Sequence, residues 1–273
     1  MASKERIGEA VVRLGLASQD SVASALEHQQ SREKNGAAHV PLGALLIEMG
    51  LLAPAQLVGV LEDRGLQGFQ LSEDAVRLAA SFPRTMADTD RVIMFASATS
   101  GPESASIAAQ TALALALMGE GPLLLIDADL REPTLHDRFG MPATPGLVEL
   151  IDGSASSEQA IRPSGLPELK ILCAGSAKGD LLVRLLSERC EALVNEFRAS
   201  YRYVILTAPA VLEHPEPILL GSRADGAILV VRAEREGMSE VNDACRMLRG
   251  LKAKIHGTVL AQPAKRKAGG RRK

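Results

Sequence analysis

Apolar residues follow two different periodicities along the chain. In residues 91–262, short apolar runs such as 92–95 and 123–126 predict buried strands, and the first leads through small residues into an alanine-rich helix. In residues 1–65, apolar positions recur at spacings of three and four, which predicts short amphipathic helices. The pattern predicts a small all-helical module followed by an α/β domain, with 66–90 as a linker or an extension of the module.

The helical region contains an internal repeat with a period of 35 residues. Each copy predicts a short helix, a Gly-Leu turn and a second helix, which Ser18 or Pro54 is placed to begin. Two packed helical hairpins of this kind would form a compact module. The pairs that match in residue type are Ile7 and Leu42, Gly8 and Gly43, Val11 and Leu46, Val12 and Ile47, Gly15 and Gly50, Leu16 and Leu51, Val22 and Leu57, and Leu26 and Leu61.

The turn after the first apolar run has the frame of a phosphate-binding loop, because a strand, a small-residue turn and a helix place a helix N-terminus under a phosphate. A working loop also needs glycines, a Lys for the phosphates and a Ser or Thr for Mg²⁺. Gly101 keeps one glycine, but the other three positions are occupied by Glu103, Ser104 and Ala105. We expect Glu103 to repel phosphate and, in a left-handed backbone, to add roughly 1–2 kcal/mol of strain.

The second apolar run leads into a segment that carries a family resemblance. The run ends at Asp127, and the string Asp-Leu-Arg-x-Pro-x-Leu-His follows from Asp129 to His136. Together with the loop frame, this segment resembles the catalytic domain of the bacterial tyrosine kinases that regulate capsule and exopolysaccharide export, within the Min/Par-type ATPases. The resemblance covers roughly Arg91 to Ala261. It implies an α/β fold with a doubly wound, mostly parallel sheet of the P-loop NTPase type.

Carried over position by position, the resemblance implies a degenerate nucleotide site. The family's Walker B Asp falls on Thr207, and the Asn that reads the adenine edge falls on Ala261. Asp127 and Asp129 remain as remnants of the catalytic set. The family's tyrosine-rich tail has no counterpart in 263–273, which we expect to be basic and disordered. The resemblance therefore implies a pseudo-ATPase for which no cofactor is expected.

Two further interpretations of this site stay open. A displaced lysine, with Lys178 and Lys4 as the candidates, would rescue the site for ATP and Mg²⁺ and make the chain an active kinase or ATPase. Alternatively, Asp127 and Asp129 have a structural role, because strand-end carboxylates often cap the next helix or hold a loop arginine such as Arg131. For a site without catalysis we favour the structural role.

The first copy of the repeat resembles the N-terminal domain of type II secretion and type IV pilus assembly ATPases. Some members of that family bind cyclic di-GMP through two tandem copies of the motif, with a leading Arg and a closing Gln on guanine. The second copy here begins at Pro41 instead of Arg. The alternative is that these residues build the helical fold and dock a protein partner. The candidate residues for cyclic di-GMP or a partner are Arg6, Gly8, Gly15, Gln29, Gly43, Gly50 and Arg64.

Composition sets further limits. The chain has 273 residues, of which 46% are hydrophobic, and a net charge of −2. This length suffices for an α/β core and a small module, and the charge gives no case for a nucleic-acid partner. No run approaches the ~18 apolar residues of a membrane helix, so we expect a cytoplasmic protein. The basic stretch from Lys265 to Lys273 would add only weak attraction to anionic lipid, at roughly 1 kcal/mol per residue near the surface.

Together, these observations predict a non-catalytic regulator or scaffold of a polysaccharide export, secretion or surface-motility assembly. The kinase resemblance implies a homodimer, or a hetero-oligomer with an active kinase, and a membrane export or pilus component is a further expected partner. Two alternatives stay open: an active tyrosine kinase of exopolysaccharide biosynthesis, and a cyclic di-GMP receptor.

Overall fold

The computed structural model describes residues 6–34, 42–53, 56–57, 59–60, 71–166, 168–176, 179–250 and 254–261. The strands are β1 (Val92–Ser97), β2 (Leu123–Asp127), β3 (Ile161–Pro163), β4 (Leu169–Leu172), β5 (Tyr203–Thr207), β6 (Gly226–Arg232) and β7 (Lys254–Ala261). The helices are α1 (Ile7–Arg13), α2 (Gln19–Lys34), α3 (Leu42–Glu48), α4 (Glu73–Thr85), α5 (Glu103–Met118), α6 (Leu135–Arg138), α7 (Leu147–Ile151), α8 (Ser157–Ala160), α9 (Leu181–Leu186), α10 (Glu188–Ser200), α11 (Glu216–Gly221) and α12 (Met238–Arg249).

The strands form one sheet in the order β3-β4-β2-β5-β1-β6-β7, and every neighbouring pair is parallel except β3 with β4. The strands β1, β2 and β5 are buried along their whole length, which explains their nearly continuous apolar sequences. Alternate residues of β1 enter two cores: Phe95 packs on the side of α5, and Met94 on the side of α10 and α12. The predicted doubly wound, mostly parallel α/β fold is confirmed.

The helix α4 joins the two predicted regions. The side chain of Ser72 caps it by accepting a 3.2 Å hydrogen bond from the backbone N–H of Ala75. The helix then continues through Pro83 to Thr85, within the stretch 66–90 that the sequence left as a linker or an extension of the module. Burial of Phe82 on this last turn explains the continuation, because tertiary packing outweighs the poor helix propensity of proline.

Phe82 belongs to the core of the α/β domain. Its ring meets that of Tyr203 on β5 edge to face, with centroids 5.4 Å apart and planes at 84°. At the other end of α4, the backbone N–H of Ser72 donates a 2.7 Å hydrogen bond to Oε1 of Gln110 on α5. The segment before β1 therefore covers part of the sheet and of α5.

Two glycines of the repeat end equivalent helices. Gly15 follows α1 with a φ of 68°, and Gly50 follows α3 with a φ of 69°. This left-handed backbone strains any residue with a Cβ, so glycine suits both positions. The two copies of the repeat thus share one turn geometry.

The other two glycines of the repeat allow helices to approach closely. A Cβ at position 8 would lie 2.8 Å from Cγ1 of Val22 on α2, and a Cβ at position 43 would lie 3.3 Å from Leu57. Such distances leave no room for a larger residue without movement of the neighbour. The fold therefore explains why glycine occupies all four positions, whether or not a ligand binds.

The helical module rests on the α/β domain. Residues of α1 and α3, such as Val11 and Leu46, share one apolar core with α4 and α5. Glu48 at the end of α3 forms an ion pair with Arg84 of α4 at 3.2 Å. In the part of the chain that the structure describes, no helix combines the length and the apolar character needed to span a membrane.

Candidate functional site

Three central strands bring the predicted site residues to one edge of the sheet. The register pairs Thr207 on β5 with Phe95 on β1 and with Asp127 on β2. The loop that follows β1 leaves from the same edge, because these strands are parallel. This is the crevice at the carboxyl ends of strands where open α/β sheets bind ligands.

Asp127 is fully buried and satisfied by neighbours of its own chain. One carboxylate oxygen accepts 2.9 Å hydrogen bonds from the backbone N–H groups of Thr134 and Leu135, and the other accepts a 2.9 Å bond from the hydroxyl of Thr207. Burial raises the pKa of Asp127 above its ordinary value, although these hydrogen bonds lower it in part. Asp127 thus caps the first turn of α6, which is the structural role that the sequence left open.

Asp129 and Arg131 interact differently from the expectation. Asp129 accepts backbone N–H bonds from Arg131 and Glu132, at 3.1 and 3.0 Å, and so shapes a turn. The guanidinium of Arg131 binds Glu216 instead, with Nη2 2.7 Å from Oε1. Of the two structural roles considered for the strand-end carboxylates, capping of the next helix is observed, whereas the guanidinium is held by Glu216, which is buried and lies 85 residues further along the chain.

The phosphate-loop frame is occupied by carboxylates of the chain itself. Glu236 accepts 2.9 Å hydrogen bonds from both the backbone N–H and the hydroxyl of Thr99. Glu213 accepts a 2.8 Å bond from the backbone N–H of Ser100 and a 2.6 Å bond from its hydroxyl. Two consecutive amides of the loop therefore bind internal anions.

The surroundings of these carboxylates favour their charged forms. The hydrogen bonds from the hydroxyl and amide of Ser100 lower the pKa of the exposed Glu213. Burial opposes ionisation of Glu236, but hydrogen bonds from Arg232 and Thr99 outweigh it, so the pKa of Glu236 is also lowered. Both groups are consequently carboxylates at neutral pH.

Arg232 places a positive charge next to this loop. Its guanidinium lies 3.3 Å from Glu236 and hydrogen-bonds the hydroxyl of Thr99. The same guanidinium fills the space above Gly101, where a Cβ would collide with it, and lies 3.9 Å from the carboxylate of Glu103. A cation of the chain thus lies beside the loop and close to two acids, Glu236 and Glu103.

The first turn of α5 places the remaining loop residues. Glu103 begins the helix and has no positive φ, so the strain expected for a left-handed backbone at this position is absent. Ser104 is buried and its hydroxyl has no hydrogen-bond partner in the described part of the chain, while Ala105 is half-buried. Lys178 and Lys4, the candidates for a displaced lysine, lie outside the described residues and stay predictions.

Two openings flank this loop and differ greatly in size. The space bounded by Ser100, Gly101, Asp129 and Arg131 has a cavity volume of only 10 Å³. A second cavity of 510 Å³ lies between α4, α5 and the end of β7, and Ala261, the position of the adenine-reading Asn, lines it. Of these two openings, the one next to Asp129 and Arg131 has almost no free volume and the one next to Ala261 is large.

The helical module contains a groove of 580 Å³ between α1 and α2. Arg6 and Gly8 line it together with apolar side chains such as Val22 and Leu26. Gln29, the closing residue of the first motif copy, is half-buried one turn further along α2. Arg64 lies outside the described residues. The role of these candidates stays a prediction.

Comparison with known proteins places the chain in a family. No family model matches it. The tyrosine-protein kinase YwqD of Bacillus subtilis is 32% identical over 168 residues, which make up 62% of this chain and 70% of YwqD. The chain belongs to the bacterial tyrosine kinase family. The succinoglycan biosynthesis transport protein ExoP of Rhizobium meliloti is 31% identical over 176 residues, or 62% of this chain and 22% of ExoP.

The family's solved structures share the fold. The kinase domain of VpsO is 27% identical and superimposes with a TM-score of 0.64 over 70% of this chain and 94% of that domain. Other relatives are much longer, and the chain spans only 22–24% of the length of several of them. The family membership thus confirms the predicted kinase resemblance for the α/β domain.

Three residues that bind Thr99 and Ser100 of the loop were not predicted from the sequence. Glu213, Glu236 and Arg232 lie 113 to 137 residues from their partners in the loop. Glu213 follows β5, Arg232 ends β6, and Glu236 closes the turn after β6, so the fold alone brings them together. A search for acidic residues just after the strands that flank β1 would have found the two glutamates.

Proposed function

We propose that this member of the bacterial tyrosine kinase family is a non-catalytic regulator or scaffold, a pseudokinase that acts through protein–protein interaction. The observation that carries the proposal is the loop whose Thr99 and Ser100 amides bind Glu236 and Glu213. A phosphoryl group needs free donors at such a loop, and these donors already hold internal carboxylates.

The free energies of these hydrogen bonds support a site that does not bind nucleotide. Each hydrogen bond to a charged group contributes about 1.5–3 kcal/mol, and Thr99 and Ser100 make four such bonds to the two glutamates. A nucleotide would have to replace these bonds without the family's lysine, whose loss alone costs about one to two decades of affinity. Glu213 and Glu236 would also repel its phosphates, since both are ionised.

The relatives suggest where such a regulator acts. Polysaccharide biosynthesis is the process named for ExoP, and we infer a role for this chain in an export, secretion or surface-motility assembly of that kind. The fold would serve as an interaction surface, in a homodimer or in a hetero-oligomer with an active kinase or a membrane component.

The nucleotide test is a calorimetric titration of the full chain with ATP and Mg²⁺, together with a phosphotyrosine assay. YwqD serves as the positive control in the same buffer. We expect no binding up to millimolar ATP and no phosphotyrosine. Micromolar binding, or phosphotyrosine that disappears in Asp127→Asn, would establish the active-kinase alternative instead.

The regulatory role is tested in the source organism. Deletion of the gene should change surface polysaccharide, secretion or motility, and the Asp127→Asn variant should restore the phenotype because the role requires the fold and not phosphoryl transfer. A non-catalytic role would be contradicted if the wild-type gene restores the phenotype but Asp127→Asn, present at the same protein level, does not.

A second candidate function is cyclic di-GMP binding by the helical module. The groove supports it, because Arg6 and Gly8 of the first motif copy line the same opening as apolar side chains. We expect Arg6→Ala to abolish binding if the groove is the site. Arg77→Ala, which removes an exposed arginine of α4, is the matched control. Equal affinity of the two variants would rule out this groove.

A further inference from the structure

We propose that the outer edge of β7 pairs with the same edge of a second copy of this chain, so that two sheets join into one across a twofold axis. β7 is the last strand of the sheet and pairs with β6 on its inner side. On its outer side it pairs with no strand of the described chain. The proposal rests on the proposed function in one respect, that the chain acts through protein–protein interaction, and it assigns the surface.

The two edges of the sheet differ in how they resist pairing with another chain. Short strands, proline, charged side chains and β-bulges all prevent such pairing. The edge strand β3 has only three residues and ends at Pro163, which has no backbone N–H to donate. The edge strand β7 has eight residues and contains no proline. The sheet is therefore protected at β3 and presents a long edge at β7.

Within β7, the features that oppose pairing lie at the beginning of the strand. Lys254 is the first residue and its side chain is exposed, and His256 is the extra residue of a β-bulge opposite β6. Residues 257–261 follow in regular register with β6, have the sequence Gly-Thr-Val-Leu-Ala and carry no charge. This second part of β7 is therefore the segment that can accept a partner strand.

The backbone groups of this segment alternate between β6 and the outer edge. The carbonyl of Ala261 accepts a 2.9 Å hydrogen bond from the N–H of Ala233, the residue after β6, so the backbone groups of Ala261 face β6. Successive residues of a strand direct their N–H and C=O groups to opposite sides. Those of Val259 therefore also face β6, whereas those of Thr258 and Leu260 face outward and offer two donors and two acceptors.

A second copy of the segment satisfies these four groups. When two copies pair antiparallel about Val259, Thr258 of each copy lies opposite Leu260 of the other, and each such pair exchanges two hydrogen bonds. All outward backbone groups of both segments are then paired. The same patch serves both copies, which is the closed, isologous arrangement of the commonest oligomers. Because the segment is uncharged, self-pairing places no like charges opposite each other.

Exposed apolar side chains beside this edge favour the same contact. Leu260 on β7 is 58% exposed, and Met238, the first residue of α12, is 75% exposed. The turn between β6 and α12 is bonded to the end of β7 through Ala233 and Ala261, so both apolar residues lie at the carboxyl end of the sheet. Pairing of the two edges would remove Leu260 from water, which favours association.

The oligomeric state of the full chain tests the proposal. Sedimentation over a dilution series that begins at millimolar protein should show a monomer–dimer equilibrium. Leu260→Lys places a charge at the joined edge and should weaken the dimer at least about tenfold. Leu186→Lys, at a leucine of α9 that is 59% exposed, is the matched control and should leave the dissociation constant unchanged. A chain that stays monomeric, or a dimer that Leu260→Lys does not weaken, overturns this proposal, whereas only the nucleotide titration decides the proposed function.

Amide hydrogen exchange of the wild-type chain covers the case in which Leu260→Lys does not fold. The outward amides of Thr258 and Leu260 should exchange slowly in the dimer and at least about tenfold faster after dilution to the monomer. The amide of Val259 faces β6 and should exchange slowly at both concentrations, which makes it the internal control. Equally fast exchange of Thr258 and Leu260 at both concentrations would overturn the proposal.

Discussion

The hydroxyl of Thr207 donates a 2.9 Å hydrogen bond to Asp127 on the adjacent strand. An aspartate at position 207, as the family pattern has, would place a second carboxylate against the buried Asp127. Two carboxylates so close disfavour the charged state of both, unless a cation lies between them. Thr207 instead stabilises the remaining acid as part of the fold.

Asp127 should therefore matter for stability. Asp127→Ala removes an acceptor of three hydrogen bonds and should lower the free energy of unfolding by about 3 kcal/mol, because buried donors lose their partner. Asp127→Asn keeps one acceptor oxygen for the backbone donors and should cost only about 1 kcal/mol. Urea unfolding measures both. Equal losses for the two variants would show that hydrogen bonding at this position is unimportant.

The hydrogen bonds of Thr99 and Ser100 to Glu236 and Glu213 should break at acidic pH. The pKa values of Glu213 and Glu236 lie below their ordinary 4.5 in the folded chain, so their contribution to stability is complete above pH 4.5 and is lost as the pH falls through the folded pKa values. The amide resonances of Ser100 and Thr99 should titrate together with these groups.

The control for this titration is Glu213→Gln. This variant should abolish the titration of the Ser100 amide and leave that of Thr99, which reports on Glu236. Amide midpoints above pH 4.5 in the wild-type chain would mean that the loop does not stabilise the two carboxylates.

Tyr203 should tolerate loss of its hydroxyl. That hydroxyl is buried without a hydrogen-bond partner among the described residues, and burial raises the pKa of Tyr203 to about 12. Tyr203→Phe should raise the free energy of unfolding by about 1 kcal/mol, since an unsatisfied polar group leaves the core. Thermal unfolding tests this, and a clear loss of stability would reveal a hidden partner.

Burial also makes Tyr203 a poor phosphate acceptor. The sequence contains two tyrosines, and the other, Tyr201, is half-buried at the end of α10. We expect an active kinase of the family to leave the folded chain unphosphorylated on tyrosine and to modify it only after denaturation. Mass spectrometry of the native and urea-treated chain distinguishes the two states.

The glycines of the repeat allow a matched comparison. Gly8→Ala places a methyl group 2.8 Å from Val22 and should destabilise the chain by about 1–3 kcal/mol. Gly59 has open space around the position of a Cβ, so Gly59→Ala should be neutral or stabilising by up to about 1 kcal/mol. If Gly8→Ala is as stable as Gly59→Ala, the close contact is not needed, and a ligand becomes the better reason for this glycine.

Local patterns in the sequence predicted much of the fold. The apolar runs at 92–95 and 123–126 marked β1 and β2, because each signal lies within a few residues. The continuation of α4 through Pro83 was missed, since burial of Phe82 depends on a strand more than a hundred residues later.

The site shows the same limit more sharply. Loss of the usual residues at Glu103, Ser104 and Ala105 was visible in the sequence. The hydrogen bonds of Glu213 and Glu236 to the loop were not, because they exist only after the sheet has assembled. The residues of the loop can be compared with a pattern in the sequence, whereas the groups that bind the loop are seen only in the structure.

The contact of Phe82 with Tyr203 has a practical consequence for the design of truncated fragments. A fragment that begins at Arg91 would leave the ring of Tyr203 and the outer side of α5 facing water, and it should aggregate. A fragment that begins at Leu71 retains the contacts of α4 with Tyr203 and with α5, but it lacks those of α1 and α3 with α4 and α5. The α/β domain thus begins one helix earlier than its first strand.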